Sequence, residues 1–356
     1  MYSESDIDGA VEAGVLSREA AAALRAHVAT VRAMPAVDEE SFRLLTGFND
    51  IFVSIAAVMT LVAVGWIGNM VRLLAPQYGP SPVAGFAVAA AAWGLGEYFT
   101  RQRRMALPSI ILLLAFAGGL FGGFAILFGV MFHLGDWDGG RSAALIAALS
   151  AALTAGGVWL HWRRFMVPIT VAAGAAILAG LAIALAIAAA PGLDIDLFRV
   201  VMLLAGLAIF ALAMLWDMSD RDRTTRRSDV AFWLHLLAAP MIVHPIFAMM
   251  GMLHGAGTPA QASFVIAIYV VLGLIALAID RRALMVSALA YVLYALTSLI
   301  EQSGAVDFSF GLTALIIGSA LLLLSAFWTA ARRWVVGLLP GDLAMRLPAI
   351  DALRRV

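Results

Sequence analysis

Residues 101–132 read RQRRMALPSIILLLAFAGGLFGGFAILFGVMF. Three Arg lead into a run, 107–132, that carries no charge. A helix of about 20 residues covers the ~30 Å hydrocarbon layer of a bilayer. Helical hydrogen bonding also satisfies every backbone group where no water can. The basic cluster marks the end of the run that stays in the cytoplasm. This one window therefore predicts a membrane span and its direction.

The whole chain has the same character. Of 356 residues, 63% are hydrophobic and 13% charged, whereas soluble domains are about 45–50% apolar and about 25% charged. A chain this apolar cannot cover a water-facing surface. Apolar runs recur at 51–74, 82–99, 107–132, 142–161, 166–190, 198–216, 229–252, 261–279, 284–301 and 309–331. The expected fold is all-α, a polytopic membrane protein of about ten transmembrane helices. Its parts are a helical module (1–49), a transmembrane bundle (50–331) and an interfacial tail (332–356).

Arg placement orients the spans. All 23 basic residues are Arg. Twenty lie before span one, after the even spans or in the tail; Arg72, Arg141 and Arg199 alone flank the alternate loops. Positive charge is retained inside, so both termini are expected in the cytoplasm. Arg pairs recur at 103, 163, 226, 281 and 332, one per helical hairpin. Three are followed by similar text: RRMALPS, RRFMVPI and RRALMVS. Duplicated two-helix units would give this pattern, as would positive-inside selection on helices of uniform length. No basic n-region precedes an apolar stretch in the first 49 residues, so the first span is expected to serve as its own insertion signal.

In the N-terminal module Ile7, Val11 and Val15 share one helical face. Ser17 is placed to cap a second helix bearing Leu24, Val28 and Val31. Two such short helices offer a docking surface for a cytoplasmic protein partner. The tail mixes Trp334, Val335, Val336, Leu338 and Leu339 with Arg, as interfacial segments do.

Chemistry concentrates in span seven, AFWLHLLAAPMIVHPIFAMMGMLHG, residues 231–255. His235 and His244 are titratable groups at membrane depth. Pro240 and Pro245 each remove a backbone donor and free a carbonyl one turn earlier. These four residues form the candidate substrate or proton pathway. On a straight helix the two His would face nearly opposite ways, and each imidazole could equally be a satisfied packing group. Met249, Met250, Met252 and His254 offer thioether and imidazole groups of the type Cu(I) accepts, but Met is also ordinary core filler. His133, Asp136 and Asp138 could form a weak periplasmic cation site, but the better reading is a solvated loop. Glu97 and Glu301 lie near span ends, and Asn69 and Arg72 near the outer end of span one. The run WDMSDRDRTTRRSD, 216–229, has four Asp and four Arg and reads as a self-neutralising loop. GGLFGG, 118–123, predicts close helix packing.

Other chemistries find no support in the text. There is no Cys, hence no disulfide or thiolate chemistry. No HExxH, GxSxG, P-loop or dinucleotide fingerprint occurs. No catalytic residue, metal site or cofactor is expected, and nothing suggests nucleic-acid binding.

The stretches AVEAGVLSREAAAALRAHV (10–28) and FNDIFVSIAAV (48–58) resemble a family of bacterial multi-pass membrane proteins, domain of unknown function 2157. DRRALMVSALAYVLYAL (280–296) and RRWVVGLLPGDLAMRLP (332–348) have the same look. The resemblance implies a bacterial inner-membrane location and no particular activity or site. Three functional classes remain open: a secondary transporter or permease for a small solute or ion, a non-catalytic scaffold or accessory subunit, and, least supported, a membrane enzyme. Ten helices split five and five give halves of opposite orientation, the parity inverted repeats need. Bland, small-residue-rich helices suit the scaffold.

Overall fold

The computed structural model describes residues 4–33, 48–72, 79–132, 140–190, 195–221, 223, 225–251, 258–302, 309–345 and 347–348. The described residues contain helices and no strands. The chain forms two compact units, 1–42 with 353–356, and 43–352.

In the first unit, α1 (Glu4–Glu12) and α2 (Arg18–Ala33) form a hairpin. Gly14 turns it at φ +71°, where a Cβ would be strained. Ser17 Oγ accepts from the Ala20 amide at 3.1 Å, the expected cap. Ala21 is buried, while Val15 and Leu24 are exposed.

The second unit is a helical bundle. Its helices are α3 (Phe48–Met70), α4 (Pro82–Gly96), α5 (Ala106–Met131), α6 (Arg141–Phe165), α7 (Ile169–Ala189) and α8 (Ile195–Met218). These are followed by α9 (Arg226–Met249), α10 (Pro259–Ile279), α11 (Ala283–Gln302), α12 (Ser309–Ala326), α13 (Trp328–Gly337) and the single turn α14 (Gly341–Ala344). Each of the ten apolar runs becomes a helix. Eight are long and apolar enough to cross a membrane, or nine if α12 and α13, bent by 77°, count as one span. The chain is thus a multi-pass membrane protein. α4 is short as an α-helix because its last turns widen into a π-helix, Glu97–Gln102.

Consecutive antiparallel helices make the main contacts: α4 with α5, α6 with α7, α8 with α9, α10 with α11. α9 also touches α7 and α11, and half of its apolar stretch is buried, the largest share among the candidate spans. Side chains from chain segments following even-numbered spans meet one another. Glu97 pairs with Arg164, and Asp217 with Arg281. These contacts carry the expected alternation of loop sides within each group.

Small residues set the closest approach. A Cβ on Gly85 of α4 would lie 2.5 Å from the Gly123 nitrogen and 2.6 Å from the Gly119 oxygen of α5. Gly118 and Gly122, on the other side of α5, face open space. The four glycines thus divide into a contact pair and a free pair. Gly85→Ala should cost about 1–3 kcal/mol through overpacking. Gly122→Ala should be neutral or stabilising by up to about 1 kcal/mol. Thermal unfolding of the two variants in detergent checks the contrast.

Candidate functional site

Asp217 lies in the last turn of α8, 1% exposed. Its Oδ2 is 2.9 Å from His235 Nε2 on α9, itself fully buried. Arg281, at the α10–α11 junction, reaches the same carboxylate with Nε at 3.2 Å and Nη2 at 2.5 Å. Arg281 Nη2 also donates to the Ser228 carbonyl at 3.0 Å. Facing a carboxylate, His235 Nε2 carries a proton. Its Nδ1 is buried and has no hydrogen-bond partner among the described residues. Phe210 meets the imidazole edge-on at 5.2 Å, and belongs to a buried apolar cluster with Val230, Leu234, Ala213 and Ala238 of the same two helices. Nine residues separate His235 from the first residue of α9, about 13 Å of helical rise. His235 thus lies about two to three turns into α9, where it meets an Asp from the last turn of α8 and, through it, an Arg from the α10–α11 junction.

A second tier lies nearer the helix ends. Asp280, the C-cap of α10 at φ +58°, accepts from Arg223 Nη1 at 2.8 Å and from Trp328 Nε1 at 2.7 Å. Arg223 Nη2 also donates to the carbonyls of Ile279 and Asp280. Arg223 itself holds φ +52°, a left-handed conformation that costs about 1–2 kcal/mol and that these bonds offset. Burial pushes the Asp280 carboxyl up, but the neighbouring Arg223 and Arg332, with the Trp328 N–H, overcome it and hold it below its ordinary value. Burial, and Arg281 nearby, lower the Arg223 guanidinium.

The outermost tier ties in the tail. Arg332 donates to the Pro348 carbonyl at 2.6 Å and Arg221 to Leu347 at 3.2 Å. Asp220 accepts from the Thr225 amide and hydroxyl, which shapes the turn into α9. Together the tiers form a polar ladder from the loops inward, ending at His235 against an apolar wall.

The four residues expected from span seven do not share one site. α9 is continuous through both prolines. His235 and Pro245 are buried, whereas Pro240 and His244 are exposed. His244 Nδ1 lies 2.5 Å from the Tyr291 hydroxyl of α11. The two imidazoles thus take different partners on different faces, as a straight helix requires. Met252, His254, His133, Asp136 and Asp138 fall outside the described residues. Among the described residues no group of three or more His, Asp or Glu could hold a metal ion.

Other polar positions are structural. Glu97 takes a two-point contact from Arg164, at 2.7 and 2.8 Å, and a longer one from Arg101. Asn69 Oδ1 accepts from the Ser81 amide, and Arg72 donates to the Gly79 carbonyl, together closing the α3–α4 turn. Sequence reasoning missed Asp217 and Arg281. The run 216–229 is not merely self-neutralising, because Asp217 and Arg223 find their partners beyond it, at 281 and 280. No local signal in the sequence marks Asp217, which ends an apolar run and opens a charged one.

Two consequences are measurable. Asp217→Asn leaves Arg281 buried with its charge unmatched and should cost about 3–5 kcal/mol. Adding Arg281→Met should restore part of that loss in a double-mutant cycle read by thermal unfolding. Asp280 contributes stability above the pKa of the unfolded chain, and this is lost as pH falls through the lowered folded value. The unfolding gap between the parent and Asp280→Asn should hold at neutral pH and close below about pH 4.

Comparison with protein-family models, curated proteins and solved structures finds no match to this chain.

Proposed function

We propose that the chain is a secondary transporter or permease-like protein of the bacterial inner membrane, with both termini cytoplasmic, moving a small solute or ion. The observation that carries this reading is the Asp217–His235–Arg281 group. Ionisable side chains inside a membrane bundle are costly, and they commonly mark proton relays or substrate paths. His is the side chain whose ordinary pKa lies nearest neutrality, so it is the fitting proton carrier. The carboxylate holds one imidazole nitrogen, and the unpartnered Nδ1 is the position from which a proton could pass inward. The ladder of Arg223, Asp280 and Arg332 then acts as the closed gate at the cytoplasmic end. Ten spans, if the shorter α4 with its π-helical end and the bent α12–α13 pair both cross, would allow halves of opposite orientation. The likeness of residues 10–28 and 48–58 to the domain of unknown function 2157 family supports the inner-membrane placement, and membership of that family is part of the proposal.

A second reading, a non-catalytic scaffold or accessory subunit, is favoured by one observation. The carboxylates of the ladder are already paired, and the wall beyond His235 is apolar. Under that reading the charges lock helices together, and residues 1–49 dock a cytoplasmic partner.

The chain has no Cys, so single cysteines report water access cleanly. Cysteines at Leu236, Met241 and His244 are treated with a membrane-impermeant thiol reagent from each side. Cysteines at Arg104 and Arg227 serve as markers. The markers should label from the cytoplasmic side alone, and Leu236 and Met241 from both sides, as alternating access requires. Protection of Leu236 and Met241 from both sides would sink the transport reading and leave the scaffold.

A further inference from the structure

A cavity of about 490 Å³ opens where α3 begins, beside the turn that leads from the π-helix into α5. Cavities of ~300–1,000 Å³ are of the size that holds small organic ligands. The π-helix explains how the polar side of this one is assembled. In an α-helix, residues five apart point about 140° away from each other. The wider π turn bonds residue i to residue i+5 and brings the two toward one face. Here the Arg103 amide donates to the Tyr98 carbonyl at 3.0 Å. The same two residues meet through their side chains. Arg103 Nε donates to the Tyr98 hydroxyl at 3.2 Å, and the guanidinium lies 5.6 Å from the centre of the Tyr98 ring. Arg104 then turns the chain toward α5 at φ +54°, a left-handed conformation. Single π turns inside α-helices recur at functional sites.

Three side chains thereby present donors to the cavity. Arg103 uses Nε on Tyr98, and its two Nη groups take no acceptor among the described residues. The Tyr98 hydroxyl accepts that bond, so its own proton is free for another acceptor. Asn49, in the first turn of α3, adds a side-chain amide. All three residues are exposed, so these donors are open to a ligand. Asp50, the carboxylate in the lining, is 2% exposed and has interactions of its own within the chain. Glu97, on the π-helix, is taken by Arg101 and Arg164. Val53, Phe99 and Met105 complete the walls with apolar surface. A guanidinium fork matches a carboxylate or a phosphate. Two further donors beyond the fork favour phosphate, which has more oxygens to engage.

We infer that the cavity binds the phosphate group of an organic phosphate ester. Arg103 forks two of its oxygens, Tyr98 and Asn49 donate to the others, and the carbon part lies against Val53, Phe99 and Met105. Two long apolar helices, α3 and α5, start beside this cavity, so soluble esters and lipid headgroups both reach it. The site holds whether or not the bundle transports.

The full-length protein, purified in dodecyl maltoside, is tested with two matched pairs of probes. Equilibrium dialysis compares glycerol phosphate with glycerol, and native mass spectrometry compares dioleoylphosphatidylglycerol with dioleoylglycerol. In at least one pair the phosphate probe should bind, one per chain, and its neutral partner should not. Arg103→Gln should weaken that binding at least about tenfold. Arg104→Gln removes the same charge one residue outside the lining and should leave binding unchanged. Both side chains are exposed, so neither change threatens the fold. Arg103-dependent binding of glycerol phosphate identifies a soluble ester as the ligand; such binding of the lipid alone identifies a headgroup. No phosphate-dependent binding in either pair, undiminished binding in Arg103→Gln, or equal losses in Arg103→Gln and Arg104→Gln would overturn the assignment.

Discussion

A carboxylate withdrawn from water inside a helix bundle must be matched on all sides or it unfolds its surroundings. Asp217 is that group here. Its two oxygens engage an imidazole from α9 and a guanidinium from the α10–α11 junction. Two helices and the junction between two more are thereby fixed in register around one charge. Such a group adds little net stability over an apolar equivalent, because desolvation consumes most of the attraction. Its effect is selective: alternative packings of these bland Ala- and Leu-rich helices would leave the carboxylate unmatched.

The other half of the bundle is organised differently. α4 and α5 approach through Gly85, Gly119 and Gly123, with backbone nearly touching backbone. Lipid supplies no hydrophobic drive for helices to associate, so close packing and polar contacts carry the work. The protein uses both routes in separate places. Glycine contact joins the early helices, with Glu97–Arg164 as a half-exposed clasp at their end. Charge matching joins the late helices. Packing of the first kind is tight at every pH, whereas the second depends on which groups are ionised.

Much of this was legible in the sequence. The apolar runs and the Arg alternation are decided by local physics, the length of a span and the retention of positive charge. The contact face of GGLFGG was visible as small residues, although not which pair of glycines it used. His235 was visible in span seven, but not its contact with Asp217, 18 residues earlier, nor the Arg281 that reaches the same carboxylate across 64 residues. Asp217 looked like the first residue of a charged loop. Nothing in a linear reading distinguishes an Asp that solvates from one that is folded inward beside an Arg. The fate of the two prolines was likewise a tertiary matter, since packing against α7, α8 and α11 keeps α9 straight enough to continue.

α9 is tethered at two points on opposite sides, His235 to α8 and His244 to α11. Pro240 sits between those tethers and Pro245 directly beyond the second. Each proline deletes one rung of the hydrogen-bond ladder, at the carbonyls of Leu236 and Met241. The helix is thus held firmly at two stations and softened between them, like a torsion bar with a thinned waist. A twist that frees one imidazole loads the other, so the polar contacts of α8 and α11 are mechanically joined although no side chain of either need touch the other.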